Sequence, residues 1–186
     1  MNIFYLDQSA EKAAKYHCDK HVGKMLIESC QMLATAHHLH GNGDNVSYKP
    51  THANHPSNVW VRQSIKHYTW LVQLAYNLGL EFERRYGKVH KSFEVLCDEL
   101  MSPPEAMFDL PHTWTPPTLA MDDEFKVYSD PIKAYRYFYA SKSNRMDMEY
   151  FKGNQPPPIW LSDIWNEELS VKFHDDLNEM QEAAYV

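Results

Sequence analysis

Between Tyr16 and His38 the chain reads YHCDKHVGKMLIESCQMLATAHH, and its polar residues recur at steps of four and three. His17, His21, Lys24, Glu28, Gln31, Thr35 and His38 therefore stack on one side of a helix. Val22, Leu26, Ser29, Leu33 and Ala36 take the opposite side, with Met25 and Met32 on the flanks. One helix thus carries an apolar seat and a stripe of proton donors and acceptors. A solvated face usually carries many Lys and Glu, whereas this stripe is rich in His, Gln and Thr and holds a single carboxylate, Glu28. Lys24 stands one turn before Glu28, so its ammonium can lie against the carboxylate. Covered by a second surface, such a pair has an adjustable proton affinity, the property a general acid or base needs.

Other chemistries are less well furnished. His17 and His21 at i and i+4 could share a divalent metal, with His52 and His55 of a Pro-bounded turn as further ligands. No complete ligand-plus-Glu pattern accompanies them, and packed or solvated histidines need no metal, so the expectation is no cofactor, with a divalent metal as the alternative. Cys18 and Cys30 are candidate thiolates only in name, because isolated cysteines usually pack as small hydrophobes. With Cys97 they number three and form no CxxC, which indicates neither a disulfide framework nor a cysteine zinc site. Tyr135, Tyr137, Phe138 and Tyr139, interleaved with Lys133, Arg136 and Lys142, could stack bases and hold phosphate, or divide between core and rim.

The elements that must position these residues are helical. Asn2 to Leu6 is a short extended apolar run. Ser9 to about His40 reads as helix, with a break near Cys18 and a cap at Asp19. Gly23 inside it marks a close approach by another group. The segment from Gly41 to Pro56 is a loop, and a long helix runs from about Ser57 to Tyr86, stopped by Gly87. Val89 to Met101 forms a third helix, Pro103 to Pro117 a wrapping loop, and Asp130-Pro131 starts a helix that reaches about Asn144. A terminal acidic helix from about Ser162 completes the chain. The expected class is all-α: a single compact helical domain, 1–186, built on two long N-terminal helices.

With 186 residues, 44% of them apolar, the chain can bury a sizeable core. No apolar run approaches the roughly 18 residues that span a bilayer, and MNIFYLD lacks the basic start of an export signal, so a cytoplasmic protein without a membrane partner is expected. The formal charge of −7 conceals an asymmetry. Residues 1–91 hold eleven Lys and Arg against seven Asp and Glu, with nine of the eleven His; residues 92–186 hold seven against eighteen. The basic, His-rich half could meet a polyanion while the acidic half faces away, or the halves could simply attract one another.

The order Asp19-Lys20-His21, Gly23-Lys24, Ile27-Glu28-Ser29-Cys30-Gln31-Met32-Leu33, then Asn54-His55-Pro56, Trp60 and Tyr68 resembles small phage and bacterial pyrimidine-dimer DNA glycosylases of the endonuclease V type. Those proteins carry an Asp-Arg pair, a Gly-Lys, a Glu-x-x-Gln and a His-Pro-x-x-x-Trp in the same order. The match covers Asp19 to Tyr68, about a quarter of the chain. It implies an all-helical enzyme that exposes a damaged pyrimidine, breaks its glycosidic bond and nicks the strand through a Schiff base. By the resemblance Glu28 stabilises the sugar cation and moves protons, and Lys20, His21 and Lys24 hold phosphates beside His55. His17, Gln31, Trp60 and Arg62 complete the expected substrate-binding set. The nucleophile of that family is an α-amine exposed by removal of the initiator Met before a small residue. Residue 2 here is Asn, which leaves the Met1 amine, Lys24 or no lyase step as the alternatives. A pI near 5.8 is low for a duplex binder and keeps a single nucleotide or modified base open as ligand. The expected function is thus a DNA glycosylase of damaged or modified pyrimidines with an AP-lyase step. The alternatives are a metal-assisted nucleotide or base hydrolase and a phage-encoded protein that captures a nucleotide signal in the host cytoplasm.

Overall fold

The computed structural model describes residues 1–167, and among them every regular element is a helix. The protein is all-α, as its periodicities predict. The first long polar-striped segment is two helices, α1 (Ala10–Lys15) and α2 (Asp19–Leu39). Ser9 caps α1 through its side chain. Asp19, expected as a cap, is instead the first residue of α2, and its carboxylate turns outward from the helix start to accept the backbone N–H groups of Phe151 and Lys152 at 3.0 and 3.1 Å.

The expected helix from Ser57 to Tyr86 also divides, into α3 (Pro56–Val61) and α4 (Ile65–Tyr86). Ser64 accounts for the break: its hydroxyl oxygen accepts from Lys66 N–H and its proton goes to the Thr113 carbonyl at 2.6 Å. A residue that caps a new helix cannot continue the old one. Gly87 ends α4 in the left-handed region at φ 67°, the stop expected from its position. The third helix is shorter than predicted, with α5 (Lys91–Val95) widening into a π-helical turn, Leu96–Leu100. α6 (Pro131–Ala140) is capped by the Asp130 side chain and runs on as a tight turn, Ser141–Asn144. A last helix, α7, begins at residue 159 and is followed to 167; the remainder of the expected acidic terminal helix lies outside the described residues.

α2 and α4 pack along their lengths and form the spine. Val22, Leu26 and Leu33 of α2 meet Leu71, Leu74 and Leu78 of α4 in a fully buried core. Full burial of each such side chain contributes about 1.5–3 kcal/mol. The expected close approach at Gly23 is that of an aromatic edge, with Phe82 ring carbons 3.1–3.2 Å from where a Cβ would stand. At the start of the spine Arg85 is sealed from solvent. It donates to the His17 and Lys15 carbonyls, to Asp19 Oδ1 at 3.1 Å and to Glu81 Oε2 at 3.0 Å. Along the polar stripe of α2 lies the extended segment 2–6, whose Ile3, Phe4, Tyr5 and Leu6 are all buried. Among the described residues nothing pairs with it as a strand; its burial between α2, α4 and α6 makes it part of the core.

Candidate active site

The second surface that would make Glu28 interesting is supplied by the chain's own N-terminal segment. Asn2 N–H donates to Glu28 Oε2 at 2.8 Å, and the α-amino group of Met1 stands 3.7 Å from the same oxygen. Lys24 Nζ lies 3.9 Å from Oε1 on the exposed side. The carboxylate side chain is 15% exposed, enclosed enough to interact strongly and open enough to meet a ligand. Asn2 is itself fastened, its amide donating to the Ala120 carbonyl at 2.9 Å and its Oδ1 accepting from Ile3 N–H at 2.8 Å. The Met1 side chain is buried, so the amine is aimed at Glu28 by packing rather than left on a free end.

These groups floor a cavity of about 330 Å³. α2 contributes His21, Lys24, Met25 and Glu28, the N-terminal segment Met1, Asn2 and Phe4, and α6 with its following turn Phe138, Lys142, Arg145 and Met146. Lys142 Nζ sits 3.6 Å above the Phe138 ring. Burial pulls its pKa below the usual ammonium value, and Arg145 and Lys24 pull the same way while Asp122 opposes them. Four cationic groups, the α-amine included, thus surround one carboxylate in a protein whose formal charge is −7. Such a cavity favours an anionic ligand.

His55 lies outside the cavity lining, within electrostatic reach of Met1 and Glu28. Its Nδ1 accepts from Ser57 N–H at 3.2 Å, which caps α3. Its pKa is lowered by burial first, then by the Met1 amine and by His52, with Glu28 opposing, so the ring stays neutral near neutral pH. His21 is neutral too: burial, then Lys24 and Lys142, push its pKa down to about 4. A neutral ring would meet a phosphate as a hydrogen-bond donor rather than as a cation.

Several expected site residues lie elsewhere. His17 is fully buried, with Nδ1 donating to the Ala13 carbonyl at 2.7 Å and its pKa pushed down to about 3 by burial, so it touches no substrate. Trp60 is buried against His67 at a ring separation of 4.3 Å and donates to the Thr115 carbonyl. Arg62 donates to the Ala53 carbonyl at 2.6 Å, which ties the 52–55 turn to α3 rather than presenting a guanidinium to the cavity. Lys20 and Gln31 lie outside the cavity wall, Lys20 exposed to solvent. Among the described residues no three His, Cys, Asp or Glu side chains gather in ligating geometry, so the alternative metal set of His17, His21, His52 and His55 is not assembled. Cys30 is buried with its pKa pushed up to about 12, and Cys18 is buried with a raised pKa, as expected of packed thiols.

Conversely, Asn2, Phe4, Arg145 and Met146 escaped the sequence reading. Lys142 and Phe138 were legible only as members of an aromatic and basic cluster, whose Tyr135, Phe138 and Tyr139 turn out to be buried. Two larger clefts are chemically poorer. One, walled by Tyr5, Trp70 and Trp114, has no carboxylate, histidine or cysteine in its lining. The other gathers Glu99, Glu105 and Asp109 and would repel phosphate. No family model, curated protein or solved structure matches the chain. No helix among the described residues is long and apolar enough to cross a membrane.

Proposed function

We propose that the protein is a DNA glycosylase of damaged or modified pyrimidines that works through the Met1 α-amine, with Glu28 as its proton-transfer group and an AP-lyase step following. The observation that carries this reading is the α-amine held 3.7 Å from a partly enclosed carboxylate inside a cationic cavity. Resemblance in the α2 and α3 motifs supports it from a second direction.

In this mechanism Glu28 takes a proton from the ammonium, leaving the amine free to attack C1′ of the nucleotide. The N–C1′ bond forms as the C1′–N1 bond breaks, and the electron pair leaves on the base. Glu28 delivers that first proton to the departing base and is a carboxylate again; it then takes a proton from the nitrogen and passes it to O4′ as the ring opens to the iminium. Removal of a C2′ proton from that iminium expels the 3′-phosphate and nicks the strand. Lys24, Lys142 and Arg145 would neutralise the flanking phosphates. Exposing the base costs a few kcal/mol, less where a lesion has already weakened its stacking. Action on nucleic acid in this manner also suits a cytoplasmic protein.

The test is incubation with ultraviolet-irradiated and undamaged labelled duplex at low salt, with and without borohydride. Cleavage confined to the irradiated strand, with a trapped adduct mapping to the Met1 peptide, is the expected result. An adduct on Lys24 would replace the nucleophile, and absence of both cleavage and adduct would overturn the reading. The acidic character of the whole protein favours a second reading, capture of a single nucleotide without catalysis, since 330 Å³ suits one such ligand. Recovery of unchanged nucleotide from the cavity distinguishes it.

A further inference from the structure

His21 lines the cavity, and as a neutral ring it brings no charge to a phosphate there. Its surroundings define what it can be instead. The Nδ1 atom lies 3.0 Å from the Tyr139 hydroxyl, which is fully buried and accepts the Cys18 N–H at 2.8 Å. A buried hydroxyl that already accepts one hydrogen bond must still place its own proton, and of the groups around it, the Cys18 thiol and the Tyr150 hydroxyl among them, the His21 ring nitrogen is the strongest acceptor. With Nδ1 accepting that proton, the ring hydrogen stands on Nε2. Phe4 stacks on the ring at 5.4 Å and 24°, holding its plane. No hydrogen bond within the protein engages Nε2 among the described residues, and unlike His17 Nε2 it is not sealed away from solvent without a partner.

We infer that His21 is an uncharged hydrogen-bond donor, oriented by Tyr139, that receives the O2 carbonyl of the departing pyrimidine in the cavity. The inference rests on the glycosylase reading and names the residue that handles its leaving group. When the C1′–N1 bond breaks, the electron pair spreads from N1 onto O2, and a donor at O2 interacts more strongly with the departing anion than with the bound base. That difference lowers the barrier. No proton leaves His21 in this step; it donates a hydrogen bond and remains neutral. The charged groups that bear on it, Lys24 and Lys142, both oppose its protonation, and His17 behind it is a neutral ring. Tyr139 acts through His21 and is a positioning residue.

The experiment has two parts. Nitrogen-15 NMR of the histidine-labelled full chain reads the tautomer directly: a pyrrole-type signal at Nε2 and a pyridine-type signal at Nδ1, unchanged from pH 8 to pH 5, are expected. Protonated Nδ1, or an imidazolium at neutral pH, would overturn the inference. Base release by His21→Phe is then compared for two modified pyrimidines in duplex, 5-hydroxymethyluracil and 5-fluorouracil, the second a better leaving group. The expected loss is about 100-fold for 5-hydroxymethyluracil and distinctly smaller for 5-fluorouracil, with partial recovery in His21→Gln, which restores an N–H donor. Equal losses for the two bases would overturn the assignment even if the enzyme is a glycosylase. If the wild-type chain releases no base, the glycosylase reading fails separately. Titration with thymidine 5′-monophosphate then decides the donor alone: a shift at His21 Nε2 sustains it, and none removes it.

Discussion

At the scale of single residues the site contrasts one partly enclosed acid with two neutral histidines. Glu28→Gln keeps the hydrogen bond to Asn2 N–H within reach but cannot accept a proton. Turnover should fall about 10²- to 10⁴-fold with substrate affinity nearly unchanged, read as a kcat effect in single-turnover kinetics. The histidines give stability a pH dependence. His17 and His21 have folded pKa values of about 3 and about 4, both below the ordinary value of 6.5. The unfolded chain therefore binds the more protons between these limits, so stability is full above pH 6.5 and declines as pH falls. The expected slope is about 1.4 kcal/mol per pH unit for each ring, until its folded value is reached. Urea denaturation of the wild type and of His17→Leu at pH 7 and pH 5 checks this. The variant starts less stable, and its loss between the two pH values should be smaller by about 2 kcal/mol.

At the scale of elements, two contacts hold the helices that carry the site. Arg85 ties the end of α4 to the end of α1 and the start of α2 through Asp19, Glu81 and two carbonyls. Arg85→Met leaves the buried Asp19 without its cation and Glu81 with Arg84 alone, and a loss of about 3–5 kcal/mol is expected, seen as a lower urea midpoint at constant m. Gly79 of α4 packs under Phe93 of α5, whose ring atoms come within 2.0–2.5 Å of where a Cβ would stand. Gly79→Ala must push α5 away or turn the ring, at a cost of about 1–3 kcal/mol, and Phe93→Leu in the same chain should recover part of it. The elements were largely legible in the sequence because their signals are local. Ser9, Asp130 and Gly87 stand where the capping rules put them, and the apolar period of α2 names its buried face. The break at Ser64 was not legible, because the Thr113 carbonyl that fixes its hydroxyl comes from the distant proline-rich loop.

Across the whole molecule the charge is distributed unevenly. A net −7 opposes a polyanion over the molecule as a whole, while Lys24, Lys142 and Arg145 converge at the cavity. Duplex binding should therefore be weak, with log K falling against log salt at a slope of about −2 to −3, the value for three neutralised phosphates. Lys142→Gln with Arg145→Gln should flatten that slope by about 2 units in fluorescence anisotropy. A slope that does not change would place the phosphates elsewhere. The division into a basic first half and an acidic second half does not describe the site, since two of its cations come from residues 142–145.

What the sequence by itself determined is the helical class, the capped ends and the lone carboxylate in the polar stripe of α2. These follow from backbone period and from side chains acting on their own neighbours. Only the tertiary structure decided that Glu28 meets the Met1 amine, that His21 Nδ1 meets the Tyr139 hydroxyl, and that Lys142 and Arg145 close the cavity. Each of those encounters joins residues far apart in the chain. They depend on how the buried 2–6 segment and α6 pack against α2, and no local period or cap encodes that packing.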